Sequence, residues 1–178
     1  NKNVQHLPQN IGKVFPNLVE ISISNTSIQH IPQNALENLP KLKSLNLMTN
    51  EIALVDPSAF DELHSLESLD LSDNNLHEVH PKIFSKLPSL KALYIMNNKL
   101  RHLDPQIFEN LPELRNVSLE NNELPEIDRK LFGKNYELQN VWLNRNKINA
   151  IDPTTFDGKR SLEYVDFRDN ECINTFFE

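Results

Sequence analysis

The sequence has 178 residues, with 18 basic and 25 acidic side chains and a formal net charge of −7. This length suits about one domain with a real core, and the acidic balance lacks the basic footprint of a nucleic-acid-binding protein. No apolar run reaches the roughly 18 residues of a membrane-spanning helix, so we expect no direct membrane insertion. One cysteine excludes an internal disulfide, and three glycines argue against glycine-rich phosphate loops.

An eleven-residue pattern recurs along the chain, and its first copy is LVEISISNTSI at 18–28. Later copies begin at residues 42, 66, 90, 114, 138 and 162, so the step from one copy to the next is constant. Residues 18–161 therefore make six full units, and residues 162–178 begin a last one. Upstream, in residues 1–17, four apolar side chains fit the tail of an earlier unit: Val4, Leu7, Ile11 and Phe15. We predict a single domain over residues 1–178 in which like units stack.

Alternating residues at the start of each copy predict a short strand with two faces. In LESLDLSDNNL at 66–76, Leu69 and Leu71 point inward, while Asp70 and Ser72 point outward. Stacked units place such strands side by side as a parallel sheet, at a spacing of about 4.8 Å. The return path is longer than the strand side, so we expect an α/β solenoid curved into a horseshoe segment. Its concave side is a parallel sheet of about seven strands, and its convex side consists of turns and short helices.

Two further columns of residues are explained by the fold alone. An asparagine recurs where the chain leaves the strand, and stacked amides can donate to and accept from neighbouring turns. These are Asn50, Asn74, Asn98, Asn122, Asn146 and Asn170. Thr26 takes this place in the first unit, so we expect a weaker rung there. A phenylalanine recurs on the return path and predicts an aromatic spine, formed by Phe60, Phe84, Phe108, Phe132 and Phe156.

Acidic residues precede proline at Asp56, Asp104 and Asp152. Paired carboxylates suit acid–base catalysis, but an N-cap followed by proline at the first position of a turn explains this pattern better. His77 and His80 form an HxxH pair, whereas zinc needs three or four converging ligands. We therefore predict no catalytic site, no metal site and no cofactor.

The outward strand positions are free of these constraints, and we call them the concave face. They lie two, four, six and seven residues after the start of each copy. Large exposed apolar groups mark binding sites, although single exposed aromatic residues are common. Acidic groups there predict a partner with a basic or mixed surface, and the two arginines are expected to pair with the partner's carboxylates. The predicted ligand-binding residues are Tyr94, Trp142, Met96, Met48, Tyr164, Asp70, Asp73, Arg145 and Arg168.

Two N-x-S/T sequons make Asn25 and Asn116 candidate glycosylation sites in a secreted protein. Asn116 projects from the concave face, where a glycan would obstruct part of that surface.

The repeated LxxLxLxxNxL pattern resembles the leucine-rich-repeat superfamily, in its 24-residue extracellular class. NVQHLPQNIGKVFPNL at the start and NECIN near the end are similar to secreted insect members, some of them immune proteins. The resemblance implies protein recognition without catalysis, in a secreted protein or in the ectodomain of a membrane protein. It also implies that Cys172 begins a truncated C-terminal cap, and a small buried hydrophobic residue is the alternative.

Several function classes remain open. The first is an extracellular module that binds a protein ligand through the concave face, in innate immunity or receptor-type recognition. The second is a structural or matrix protein that self-associates, and the third is a cytosolic regulatory repeat protein. An enzyme is the least favoured class, and no nucleic-acid partner is expected.

Overall fold

The structure is a computed structural model that describes residues 5–171. In this range it has one short helix and eleven short strands. In chain order they are α1 (Ile11–Val14), β1 (Glu20–Ser22), β2 (His30–Ile31), β3 (Ser44–Asn46), β4 (Leu54–Val55), β5 (Ser68–Asp70), β6 (Ala92–Tyr94), β7 (Asn116–Ser118), β8 (Glu126–Ile127), β9 (Asn140–Trp142), β10 (Ala150–Ile151) and β11 (Tyr164–Asp166). No helix within these residues is long and apolar enough to cross a lipid bilayer.

Seven of the strands form one parallel sheet in the order β1-β3-β5-β6-β7-β9-β11. Neighbouring strands pair residues that are one repeat apart, as in Leu69 with Leu93 and Asp70 with Tyr94. On the return path, β2 pairs with β4 and β8 with β10. Backbone hydrogen bonds continue the sheet beyond β5, because the Asp73 N–H donates to the Met96 carbonyl at 2.9 Å. The predicted solenoid with a seven-stranded parallel sheet is confirmed.

The core consists of the predicted apolar columns. The middle residue of each strand from β1 to β9 in this sheet points inward and is buried: Ile21, Leu45, Leu69, Leu93, Val117 and Val141. Phenylalanine rings stack along the return path, with centroid separations of 6.3 Å for Phe84–Phe108, 5.9 Å for Phe108–Phe132 and 5.7 Å for Phe132–Phe156. These separations lie in the favourable range for aromatic pairs, so the predicted spine is present.

The asparagine column forms a hydrogen-bond ladder between repeats. The Asn98 Oδ1 accepts from the Leu76 N–H at 3.0 Å, and its Nδ2 donates to the Leu71 carbonyl at 3.0 Å. The same contacts recur at Asn74, Asn122 and Asn146. In the first repeat, the Thr26 hydroxyl donates to the Asn50 Oδ1. A hydroxyl has one hydrogen where an amide has two, so this rung makes fewer bonds.

The convex side consists mainly of the predicted turns, and within residues 5–171 only α1 is helical. The Ile107 N–H donates to the Asp104 carbonyl at 3.0 Å, and the Leu111 N–H donates to the Phe108 carbonyl at 3.1 Å. Each bond spans three residues, whereas an α-helix requires a continuous series of bonds spanning four. The segment therefore folds as successive turns.

The acidic residues before proline cap these turns. The Asp104 Oδ1 accepts from the Gln106 N–H at 2.8 Å, and Asp152 accepts in the same way from the residue two positions on. Asp56 differs because it contacts the His30 Nε2 at 2.8 Å. That hydrogen bond is the main cause that holds the pKa of Asp56 below its usual value. These carboxylates are thus engaged in local structure.

Residues 5–17 pack on the first full repeat. A Cβ atom on Gly12 would lie 2.1 Å from the Glu37 carbonyl oxygen, so only glycine permits this approach of α1. Leu7 is buried as the tail of an earlier unit would be, but Phe15 is 58% exposed. Of the four apolar side chains assigned to the partial unit, Leu7 therefore packs in the core and Phe15 lies at the surface.

Candidate functional site

The strand register sets the geometry of the concave face. Tyr94 on β6 is opposite Ser118 on β7, and Ser118 is opposite Trp142 on β9. Two strand spacings of about 4.8 Å therefore separate Tyr94 from Trp142. Ser118 is only 4% exposed, whereas both aromatic neighbours are half-buried. We attribute the burial of Ser118 to the larger side chains that flank it.

Tyr164 extends this surface to the last strand of the sheet. Its ring centroid lies 6.1 Å from that of Trp142, at an interplanar angle of 50°. Tyr164 is 41% exposed, so one side of the pair remains open to solvent. We call Tyr94, Trp142 and Tyr164 the aromatic cluster.

A buried carboxylate on the last strand, Asp166, contacts this cluster. Asp166 is opposite Trp142 and is 4% exposed. The Arg168 guanidinium donates to both of its oxygens, through Nε at 2.9 Å and Nη2 at 2.6 Å, and the Tyr164 hydroxyl donates at 3.0 Å. The hydrogen bond from Arg168 is the main cause that lowers the pKa of Asp166 to about 2. The network fixes the position of the Tyr164 ring.

The two predicted arginines already have partners within the chain. Arg168 is bound to Asp166, as described above, and Arg145 lies 3.5 Å from Glu120 and 3.7 Å from Asp169. Both guanidinium groups nevertheless remain exposed on the surface. Their predicted pairing with a ligand's carboxylates would compete with these internal contacts, and it stays a prediction.

The two methionines lie on the other half of the face, on either side of Ser72. The Thr49 N–H donates to the Ser72 carbonyl, and the Asp73 N–H donates to the Met96 carbonyl. The pairing between neighbouring repeats therefore continues past the strand ends. Met48 and Met96 are half-buried, while Ser72 is 2% exposed. Within the described part of the chain, the Ser72 Oγ is buried without a hydrogen-bond partner.

The predicted acidic residues lie beside these methionines. The Asp70 Oδ1 accepts from the Ser72 N–H at 2.9 Å, and the Asp73 Oδ1 accepts from the Asn97 Nδ2 at 2.8 Å. Among residues 5–171, neither carboxylate has a cation within ion-pair distance. Both therefore bear a charge that the rest of this range does not balance locally.

The two sequons occupy different environments. Asn25 is exposed, with a backbone φ of 54° in the left-handed region that asparagine tolerates. Asn116 is half-buried on β7, and its Oδ1 accepts from the Asn140 Nδ2 at 2.8 Å. Their glycosylation stays a prediction.

One charged cluster was missed by the sequence reasoning. Glu67 lies between Lys43 and Lys91, at 2.9 Å and 2.8 Å, just before the strands begin. The hydrogen bond from Lys91 is the first cause that lowers the pKa of Glu67 to about 2. All three residues occupy the same position in successive repeats. Opposite charges one repeat apart in the sequence are the signal that could have revealed this cluster.

No group of three or more His, Cys, Asp or Glu side chains in the described range could hold a metal ion. His77 and His80 are exposed, and the His80 Nδ1 accepts from the Lys82 N–H at 3.2 Å. The prediction for Cys172 falls outside the described residues.

The comparisons with known proteins agree with this architecture. Among solved structures, the chain is similar to one in the TLR13–ssRNA13 complex, with a TM-score of 0.89 and 25% identity over 100% of this chain and 25% of that chain. It is also similar to a chain in the glycosylated Toll–Spatzle complex of Drosophila, with a TM-score of 0.87 and 24% identity over 93% of this chain and 22% of that one. A second Toll–Spatzle structure matches with a TM-score of 0.74 and 18% identity over 93% of this chain and 25% of that one.

The chain spans about a quarter of the length of these solved chains. No curated protein matches its sequence significantly. The family model described as leucine rich repeat matches residues 16–76, 65–124 and 112–172. Because these matches together cover most of the sequence, the chain belongs to the leucine-rich-repeat family.

Proposed function

We propose that the chain is a non-catalytic extracellular recognition module that binds a protein ligand through its concave face. The observation that carries this proposal is the aromatic cluster. Its residues lie at positions that neither the apolar columns nor the asparagine ladder requires. Tryptophan and tyrosine are the side chains most often found at the energetic centres of protein interfaces.

The similar structures support recognition as the general activity. They are complexes of TLR13 with ssRNA13 and of Toll with Spatzle, and those ligands belong to those proteins. For this chain we propose a receptor-type or innate-immune role, in a secreted protein or an ectodomain. Residues 1–178 would act as one domain. A glycan at Asn25 would border the binding surface, whereas a glycan at Asn116 on β7 would obstruct part of it.

The charge of the concave face favours a protein over a nucleic acid. Its acidic residues are Glu20, Asp70, Asp73, Glu120, Asp166 and Asp169, and its basic residues are Arg145 and Arg168. Both arginines are paired with acidic residues of the same face. Phosphate groups would be repelled by such a surface, whereas a protein with basic or mixed charge is complementary to it.

The test is a capture experiment with immobilised protein and extracellular fluid from the source organism. The Trp142→Ala, Tyr94→Ala double variant is expected to lose the captured protein and to keep a melting temperature close to that of the unaltered chain. Tyr136→Ala is the matched control, because Tyr136 is a 57% exposed tyrosine outside the concave face.

Mass spectrometry and nuclease treatment of the captured material separate the outcomes. A protein that binds the unaltered chain and the Tyr136→Ala variant, but not the double variant, supports the proposal. Equal capture by all three, or capture of RNA alone, overturns it. A large loss of stability in the double variant would place these rings in the core.

A second candidate function is self-association in a structural or matrix protein. The aromatic cluster could equally contact a second copy of this chain, because Tyr164 is 41% exposed. Such a cluster is unusual on an isolated surface. Light scattering over a range of protein concentrations would favour this candidate if the mass rises, and the recognition module if it stays monomeric.

A further inference from the structure

We infer that the concave face contains a subsite for one lysine or arginine side chain of the protein ligand, centred on Asp70 and Asp73. This inference rests on the proposed function, because it concerns the chemistry of the same ligand. The subsite lies beside the aromatic cluster, on the half of the face that holds the two methionines.

The charge of the subsite is the first argument. Asp166, Glu120 and Asp169 are each held by an arginine of the same face. Asp70 and Asp73 have no such cation among the described residues, although they lie on the same strand and its continuation. Their negative charge is therefore available to a ligand. Glu20 also has no ion-pair partner in the described range, but it lies on the edge strand β1, two strands from Asp70.

The shape of the side chains around this charge is the second argument. Tyr94 is directly opposite Asp70 in the sheet, so the backbones of these two residues are one strand spacing, about 4.8 Å, apart. Two residues further along the chain, Met48 and Met96 lie on either side of Ser72. Lysine and arginine combine an apolar stem with a charged end, and methionine adapts to such stems while a ring face attracts the cation.

The third argument is an unpaired polar atom at the same place. The Ser72 Oγ lies between the two methionines, is buried, and has no hydrogen-bond partner within residues 5–171. A buried hydroxyl without a partner is rare in native proteins. An ammonium or guanidinium group that displaced the methionine side chains would supply the missing donor. Aromatic, apolar, acidic and hydroxyl groups thus occupy adjacent strands in one part of the face, the combination that a basic side chain requires.

The sequence offers a direct probe, because Met48 and Met96 are its only methionines. With methyl-13C-methionine, the NMR spectrum of the whole chain has two methyl signals, which a Met48→Leu variant assigns. The probes are N-acetyl-lysine amide and N-acetyl-arginine amide, and the neutral controls are N-acetyl-glutamine amide and N-acetyl-norleucine amide. Binding of a single side chain is expected to be weak, with a Kd of roughly 10–100 mM.

The expected result is saturable shifts of both signals with a basic probe, which added salt weakens. The difference between the two basic probes identifies which cation is preferred. Asp70→Asn and Asp73→Asn should each raise Kd about two- to fivefold, the range for exposed ion pairs. These variants should fold, because Asn46 and Asn97 occupy the corresponding positions in other repeats. Asp157→Asn, on the convex side, is the matched control and should leave Kd unchanged.

Equal shifts with the neutral probes, or no shift with any probe, would overturn the subsite. If the double variant of the aromatic cluster still loses its captured protein in that case, the proposed function stands without the subsite. If the methyl signals respond to basic probes but capture is unaffected by the aromatic variants, the subsite is supported and the proposed function fails.

Discussion

Asn98 and Tyr94 lie four residues apart in one repeat, and they relate to the fold in opposite ways. Asn98 is 8% exposed and bonds to backbone groups of its own and neighbouring repeats. Tyr94 points out of the sheet and is half-buried at the surface. The asparagine recurs because the buried backbone needs it, whereas the tyrosine position differs in nearly every repeat. The comparison separates residues that the fold requires from residues that are available for a ligand.

The largest expected effect tests the two faces of one strand. Leu93→Ala should lower the free energy of unfolding by about 2–5 kcal/mol, because Leu93 is fully buried in the core. Tyr94→Ala, one residue later on the other face, should cost about 1 kcal/mol or less. Urea denaturation of both variants measures the difference. Equal losses would show that Tyr94 is a core residue and that the concave face is wrongly assigned.

The next effect tests the ladder itself. Asn98→Ala leaves the buried Leu76 N–H and several carbonyl groups without a partner, so we expect a loss of about 2–4 kcal/mol in unfolding free energy. Asn75→Ala is the matched control, because Asn75 is half-buried and its Oδ1 accepts from Lys99 at the surface. That control should change stability by about 0.5 kcal/mol or less. A loss for Asn98→Ala as small as that of the control would mean that water replaces the ladder.

The smallest effect concerns the turn between the outward strand positions and the asparagine ladder. The residue seven positions after the start of each repeat has a positive φ. At this position Thr49 adopts a φ of 56° although it is β-branched. Asn97 has the same conformation at 54° and tolerates it better. Thr49→Asn should therefore stabilise the chain by about 0.5–1 kcal/mol.

The reciprocal change, Asn97→Thr, should destabilise by at least as much, because it also removes the hydrogen bond to Asp73. Differential scanning calorimetry compares the two variants with the unaltered chain. A stabilising Asn97→Thr change would refute the strain argument.

The sequence predicted those parts of the molecule that the backbone controls. A constant repeat length determines which residues pair, so the sheet, the core columns, the asparagine ladder and the aromatic spine followed from the repeat. The sequence left open the proportion of turns to short helices on the convex side, because the same apolar spacing fits both and only the hydrogen-bond spans distinguish them.

The candidate site was less predictable because side-chain contacts depend on neighbouring pairs. The repeat frame placed Arg168 and Asp166 on the same face, but it did not reveal that they bind each other. It placed Ser72 on the outward face, yet Ser72 is buried between the larger side chains of Met48 and Met96. Such contacts can be predicted by comparing residues one repeat apart in the sequence, because these are adjacent in space, as Lys43, Glu67 and Lys91 are.

The constant register has a consequence for the spacing of residues along the concave face. Asp70 and Trp142 are separated by three strand steps, from β5 through β6 and β7 to β9, or about 14 Å. That distance depends only on the number of repeats between them, since no insertion interrupts the sequence. Gain or loss of one repeat would move the basic-side-chain subsite by one strand spacing relative to the tryptophan and leave both intact. The repeat count therefore sets the distance between these two positions on the concave face.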